Sequence, residues 1–197
     1  MTGQGTTVML PLHLQNEVIH PAGQILAGFG GVEADRTEFI SAASKALRAA
    51  VEADVQRIFV RMAFQSGGTD LADNCELYRF VKQNEVMREG SWGAEFFGAL
   101  APEHHTDIIV SHNRVNAFFA TGLEAMLSDF GCDHLVLFGV ATHSVVEHTA
   151  RHAADLGLKV TVVDDACSAY PREKHNASLS AIENLVTVVS SWELELG

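Results

Sequence analysis

The sequence predicts an α/β fold: one domain over 1–197, built on an open, mainly parallel six-stranded sheet with helices on both faces. Three observations carry this. Apolar runs of strand length alternate with segments of helical period along the chain. The strand runs are apolar at successive positions rather than at every second one, as in strands covered on both sides. The chain has 197 residues, 47% of them hydrophobic, which suits one ordinary core.

The elements follow in order. TTVMLPLHLQ (6–15) reads as a buried strand despite Pro11. Residues 16–35 are Gly-rich and irregular, a loop. Residues 35–54 have helical spacing, with Phe39, Ile40, Ala43, Leu47, Ala50 and Val51 on one face; Asp35 and Glu38 have the spacing of a capping box. RIFVRMAF (57–64) is the second strand. The polar stretch SGGTDLADNCELYRFVKQNEVMREGSWG is long for a connection and suggests a functional loop or lid. AEFFGALAP reads as a short helix ending at Pro102. DIIVSH (107–112) is a strand and ATGLEAMLSDFG (120–131) a helix closed by Gly131. HLVLFGV (134–140) is a strand and HSVVEHTARHAADLG (143–157) a helix. LKVTVVDDA (158–166), REKHNASLSAIENL (172–185) and VTVVSS (186–191) complete the alternation as strand, helix and strand. No internal repeat is visible.

The formal net charge is −12, which argues against a nucleic-acid or anionic membrane surface. No apolar run reaches membrane length and no secretion signal opens the sequence, so a cytoplasmic protein is expected. Cys75, Cys132 and Cys167 are widely spaced, which favours free thiols. A small-molecule partner is left as the expectation.

In open parallel sheets the ligand crevice lies at the carboxyl ends of the strands. Three strand ends therefore matter: His13-Leu14-Gln15-Asn16, Ser111-His112-Asn113-Arg114, and Gly139 to Val145. Two deliver a histidine, expected at the ends of adjacent strands.

These stretches resemble the isochorismatase-like hydrolase superfamily, or cysteine hydrolases, over nearly the whole chain. LPLHLQNEV is similar to the family's first strand, where an Asp precedes x-Gln-Asn. SHNRVNAFFATGLEAML resembles its Lys-x-Arg segment followed by Thr-x-Leu-Glu. FGVATHSVVEHTARHAADLGLKV resembles its Gly-Val-x-Thr-x-x-Cys-Val turn, and DDACSAY the Asp-Ala after the next strand. The resemblance implies the family's fold, hydrolysis as the leading reaction class, a cis peptide at Val140–Ala141, and a homo-oligomer, dimer or tetramer. In the family's pattern the Asp position is His13, the Lys position His112 and the Cys position Val145.

Val145 has no nucleophilic atom, but the N–H groups at that helix start can bind a carboxylate or developing oxyanion. Ser144 is one residue early for a substitute nucleophile. His13 and His112 have three readings. They are an acid–base pair, since imidazole titrates near neutrality. Or their hydrogen bond merely fills the space of an Asp–Lys pair. Or, with Glu17, they ligate a metal, although no cofactor is otherwise expected and the Asp-x-His metal segment of the nicotinamidases is absent from VRMAFQSG. Gln15, Asn16, Arg114, Asn116, Phe118, Ala141, Thr142 and Val145 are the substrate-facing candidates. Thr142 is also the expected helix cap, and Trp92 with Phe64 an apolar wall. His148 and His152 read as packing or interface residues on a helix flank. A non-catalytic relative that keeps the pocket for ligand binding or assembly is the alternative function.

Overall fold

The structure, a computed structural model, describes residues 5–196; the ends of the expected domain, residues 1–4 and 197, lie outside it. Six strands form one sheet: β1 (Thr6–Leu12), β2 (Gln56–Met62), β3 (Ile108–His112), β4 (Cys132–Val140), β5 (Lys159–Ser168) and β6 (Thr187–Val189). Their order is β3-β2-β1-β4-β5-β6, and every pairing is parallel. Helices α1 (Asn16–Ile19), α2 (Glu33–Glu52), α3 (Glu76–Asn84), α4 (Leu123–Asp129), α5 (Glu147–Asp155) and α6 (Arg172–Ile182) lie in the connections and cover the sheet. The central strands are buried on both faces: Val8, Met9, Leu10 and Leu12 of β1 and Leu135 to Phe138 of β4 have no solvent exposure. Pro11 lies in the interior of β1, where the β1–β2 register passes from Met9 to Leu12, so its missing N–H falls in a gap of that ladder.

Strand order reverses between β1 and β4, so the ligand crevice of such a sheet opens at their carboxyl ends. The two strands approach closely there. Gly139 has φ 139°, and a Cβ on it would come within 2.0 Å of the Leu12 carbonyl oxygen. Only glycine fits that approach.

Several expected elements change. β1 stops at Leu12 because His13 turns out of the strand with φ 54°. α1 lies inside the expected loop, and its four residues are buried. α2 begins at Glu33 with Val32 as its cap residue and no side-chain cap, so Asp35 lies within the first turn, where its charge faces the free N–H end of the helix. Its core face is Phe39, Ala42, Ala43, Ala46 and Ala50; Ile40 and Leu47 are half-buried and Val51 is exposed. The run of alanines brings the helix axis close to the sheet and shifts the buried stripe away from the larger residues.

The long polar connection holds α3, where the sequence predicts a functional loop or lid. Residues 94–102 form 3₁₀ turns, Trp92–Ala94 and Gly98–Leu100, separated by Phe96 bridging to Gln15, in place of a helix. α4 is shorter than expected because residues 113–121 fold back as a loop. β5 continues to Ser168 and takes in Cys167, which the sequence places beyond the strand.

Candidate functional site

His13 and His112 are not on adjacent strands, as the sequence reading had them; β2 lies between β1 and β3. Two strand spacings separate the backbones by roughly 9.6 Å, and the two rings reach across the end of β2. They meet with Nε2 of His13 2.5 Å from Nε2 of His112, ring centroids 4.8 Å apart and planes tilted by 44°. Both residues are nearly shut off from solvent, at 6% and 5% exposure. The left-handed backbone of His13, pinned by its N–H to the Val60 carbonyl (2.9 Å), aims the first ring toward the second.

The hydrogen-bond partners fix the protons. Nδ1 of His112 faces the backbone carbonyl of Asn116 at 3.3 Å, and a carbonyl only accepts, so this nitrogen carries a hydrogen. In the neutral ring Nε2 of His112 is then an acceptor, and His13 must donate from its own Nε2. This leaves Nδ1 of neutral His13 without a hydrogen, an arrangement that the nearby Val140 carbonyl opposes, because it favours a proton on this ring. Burial dominates, however, with the His112 ring adding to it, and holds His13 well below the ordinary histidine value. Burial likewise lowers His112 to about 4, with the Asn116 carbonyl opposing. At neutral pH the pair is therefore uncharged.

Most of the other candidates are engaged in holding this arrangement. Gln15 has no exposure; its Nε2 donates to the Met62 and Ala94 carbonyls and its Oε1 accepts from Met62 N–H, each at 2.8 Å. That fills its planar amide with backbone and ties the end of β2 to the 92–94 turn. Asn16 donates to the Trp92 carbonyl at 2.9 Å. Trp92 is half-exposed and edge-on to His20, while Phe64 is buried in the wall of a separate cavity of about 180 Å³ with Leu71, Val81 and Val86. The two do not share a wall.

Arg114 donates to carbonyl groups of Asn113 and Asp70 and lies between Tyr78 and Phe119, which turns it along its own loop. Asn116 and Phe118 bind His152: Asn116 Nδ2 reaches His152 Nδ1 at 3.0 Å, and the Phe118 ring stacks on the imidazole at 4.4 Å. The flank of α5 is thus covered by the chain's own 113–121 loop.

At the helix start the Val140–Ala141 peptide is cis. Thr142–Val146 form one wide, π-type turn before α5, and the cap residue is Ala141, not Thr142. The Thr142 hydroxyl instead meets His175 Nδ1 at 2.8 Å, and its carbonyl accepts from Ser178, which pins the turn to α6. Ser144 and Val146 N–H both go to the Ala141 carbonyl, at 3.1 and 3.4 Å, so these two are not open to an anion. Val145 is buried. His143 and Ser144 line a surface cavity of about 400 Å³ with Val115, Glu147, His148 and Arg151.

The metal reading lacks its third ligand. Glu17 is buried but accepts from Gln24 N–H at 2.7 Å, and among the described residues no three His, Cys, Asp or Glu side chains gather as a metal would need. The three cysteines are free; burial pushes the thiols of Cys132 and Cys167 up to about 11 and 12. His175, which no sequence pattern singles out, meets Thr142, and His152, expected as a packing or interface residue, stacks on Phe118 and meets Asn116. Neither contact has a local motif, because each partner lies more than thirty positions away.

Among curated proteins, the isochorismatase family protein YecD of Escherichia coli O157:H7 is 40% identical over 88 residues, which span 45% of this chain and 47% of that one. The ureidoacrylate amidohydrolase RutB of Acinetobacter baylyi is 30% identical over 202 residues, 95% of this chain and 81% of that protein. The chain thus spans about half the length of the first relative and four-fifths of the second. The crystal structure of a cysteine hydrolase from Pseudomonas syringae pv. phaseolicola superposes with a TM-score of 0.84 over 98% of this chain and 96% of that one, at 23% identity, which speaks for the fold. The isochorismatase domain model matches residues 7–193, nearly everything the sheet and its helices comprise, and the chain belongs to the isochorismatase family.

Proposed function

We propose that this protein is a hydrolase of isochorismatase-like type that acts on a small polar molecule by proton transfer at His13 and His112, without a thiol intermediate. Family membership supports the hydrolase class. The observation that carries the finer reading is the contact between the two Nε2 atoms, with His112 Nδ1 facing a backbone carbonyl. In this reading a water gives its proton to His13 Nδ1 as its oxygen adds to the substrate carbonyl. The imidazolium so formed is stabilised by the Val140 carbonyl and by the acceptor nitrogen of His112. As the scissile bond breaks, the same proton passes to the leaving nitrogen or oxygen, and the neutral pair is restored. The high thiol pKa of Cys132 and Cys167 supports a route that uses neither.

Ureido and simple amide compounds are the first substrates to try, since the RutB relative is named for such a reaction. The expected outcome is that His13→Ala and His112→Ala each lower kcat/KM by roughly 10²-fold or more, with the fold retained by circular dichroism. Turnover that survives in both variants overturns the assignment. A homo-oligomer belongs to the same reading, and sedimentation velocity tests it.

A second reading, a non-catalytic module that binds a ligand or a partner, is favoured by the burial of both rings and by the engagement of Gln15, Thr142 and Arg114 with backbone and neighbouring side chains. A folded wild type that turns over no amide, urea or vinyl ether selects it.

A further inference from the structure

We propose that His152 is a positioning residue for the His13–His112 pair, acting through Asn116 to set which nitrogen of His112 carries the proton. For its functional meaning the inference rests on the acid–base reading above; its test does not.

The backbone N–H of Phe118 donates to Asn116 Oδ1 at 2.9 Å, which fixes the amide orientation and leaves Nδ2 facing His152. Nδ2 donates, so His152 Nδ1 accepts and the proton of that neutral ring is on Nε2. The Phe118 ring lies flat on the imidazole, 10° from parallel, and holds its plane. Asn116 is therefore clamped by its own loop on one side and by α5 on the other. The other side-chain bond between this loop and α5 runs from Ala117 N–H to Thr149 Oγ1, at 3.3 Å.

The clamped residue is the one whose carbonyl selects the His112 tautomer. That contact, at 3.3 Å, has little slack: a displacement of a few tenths of an ångström takes it beyond hydrogen-bonding range. With the carbonyl withdrawn, His112 is free to place its hydrogen on Nε2. The proton between the rings then belongs to His112, His13 turns acceptor at Nε2, and its own hydrogen moves to Nδ1. His152 thus sets the direction of the shared hydrogen bond without touching either ring of the pair.

The test is ¹⁵N NMR of the imidazole nitrogens at neutral pH, which distinguishes protonated from bare ring nitrogens. Wild type is expected to show His112 as one tautomer, protonated at Nδ1. His152→Phe keeps a ring to stack on Phe118 but removes the acceptor; it is expected to give His112 a mixed or reversed tautomer. His152→Gln restores a carbonyl acceptor and is expected to return the wild-type pattern. His148→Ala, at an exposed neighbour on the same helix, is the control for folding and is expected to change nothing. An unchanged His112 signal in His152→Phe overturns the proposal, as does rescue by Phe but not by Gln, which marks His152 as packing alone. If His112 follows His152 while no substrate is turned over, the positioning role stands and the catalytic reading falls. If an activity dependent on His13 is found, kcat is expected to drop about tenfold or more in His152→Phe and to recover in His152→Gln. Equal rates in all three overturn the positioning role and leave the catalytic reading intact.

Discussion

His13 holds its backbone at φ 54°, a conformation that costs an L-residue roughly 1–2 kcal/mol, and it does so at the crevice end of the central strand. Strain of this kind persists where surrounding structure enforces it; here the Val60 carbonyl and the His112 ring do so. Gln15, two residues on, is the strongest polar tie at the site. Gln15→Leu leaves Met62 N–H and two buried carbonyls without their partner, and unfolding by urea is expected to show a loss of about 3 kcal/mol or more. The cysteines give a chemical check on the proposal of a route without a thiol. With thiols raised to about 11 and 12, Cys132 and Cys167 are expected to resist iodoacetamide at pH 8 in the native protein and to react promptly once it is unfolded. Fast native alkylation of Cys167, followed by mass spectrometry, contradicts its buried position in β5.

The junction of β1 and β4 is the element on which the site depends. Gly139 allows the Leu12 carbonyl to pass where any Cβ collides with it. Gly139→Ala is expected to abolish soluble expression or to cost several kcal/mol in denaturant titration, because backbone on both sides must move. At the next element, Glu147 of α5 holds Arg151 and accepts from Ser178 of α6 at 2.8 Å, and with the Thr142–His175 contact this locks the wide turn against α6. Two elements depart from the sequence expectation for different reasons. In α3 the apolar residues Leu77, Tyr78, Phe80 and Val81 share one face, with Tyr78 and Val81 buried, but the helix is only nine residues long and sits inside a polar, Gly-containing stretch whose composition reads as a loop. The 94–102 segment is apolar enough for a helix, yet Phe97 N–H bonds the Leu14 carbonyl and Asn16 N–H the Glu95 carbonyl; tertiary partners take the groups a helix needs.

Across the whole molecule, buried neutral histidines make stability depend on pH. His112 and His175 are both lowered to about 4 by burial, and His13 is lowered as well. An unfolded chain takes up protons on these rings near pH 6.5 while the folded one does not, so the folded state binds fewer protons between 6.5 and about 4. Stability is full above that window and falls as pH drops through it, by at most about 1.4 kcal/mol per pH unit for each ring. Urea midpoints measured from pH 7.5 to 4.5 are expected to decline, and His175→Asn to flatten the slope; a profile level down to pH 5 contradicts the buried neutral state. No described helix is long and apolar enough to cross a membrane. By itself the sequence determined the alternation of strands and helices, the parallel sheet and the three strand ends at the crevice, because burial on two faces and helical period are local patterns. The residues quoted for the family were equally legible, being short and ordered along the chain. Strand order, the nitrogens by which His13 and His112 meet, and the engagement of Gln15, Thr142 and Arg114 with backbone and neighbouring side chains were decided only in three dimensions. These depend on partners up to 99 residues apart, whose meeting is set by the packing of the whole sheet and by which backbone carbonyls it leaves facing each ring.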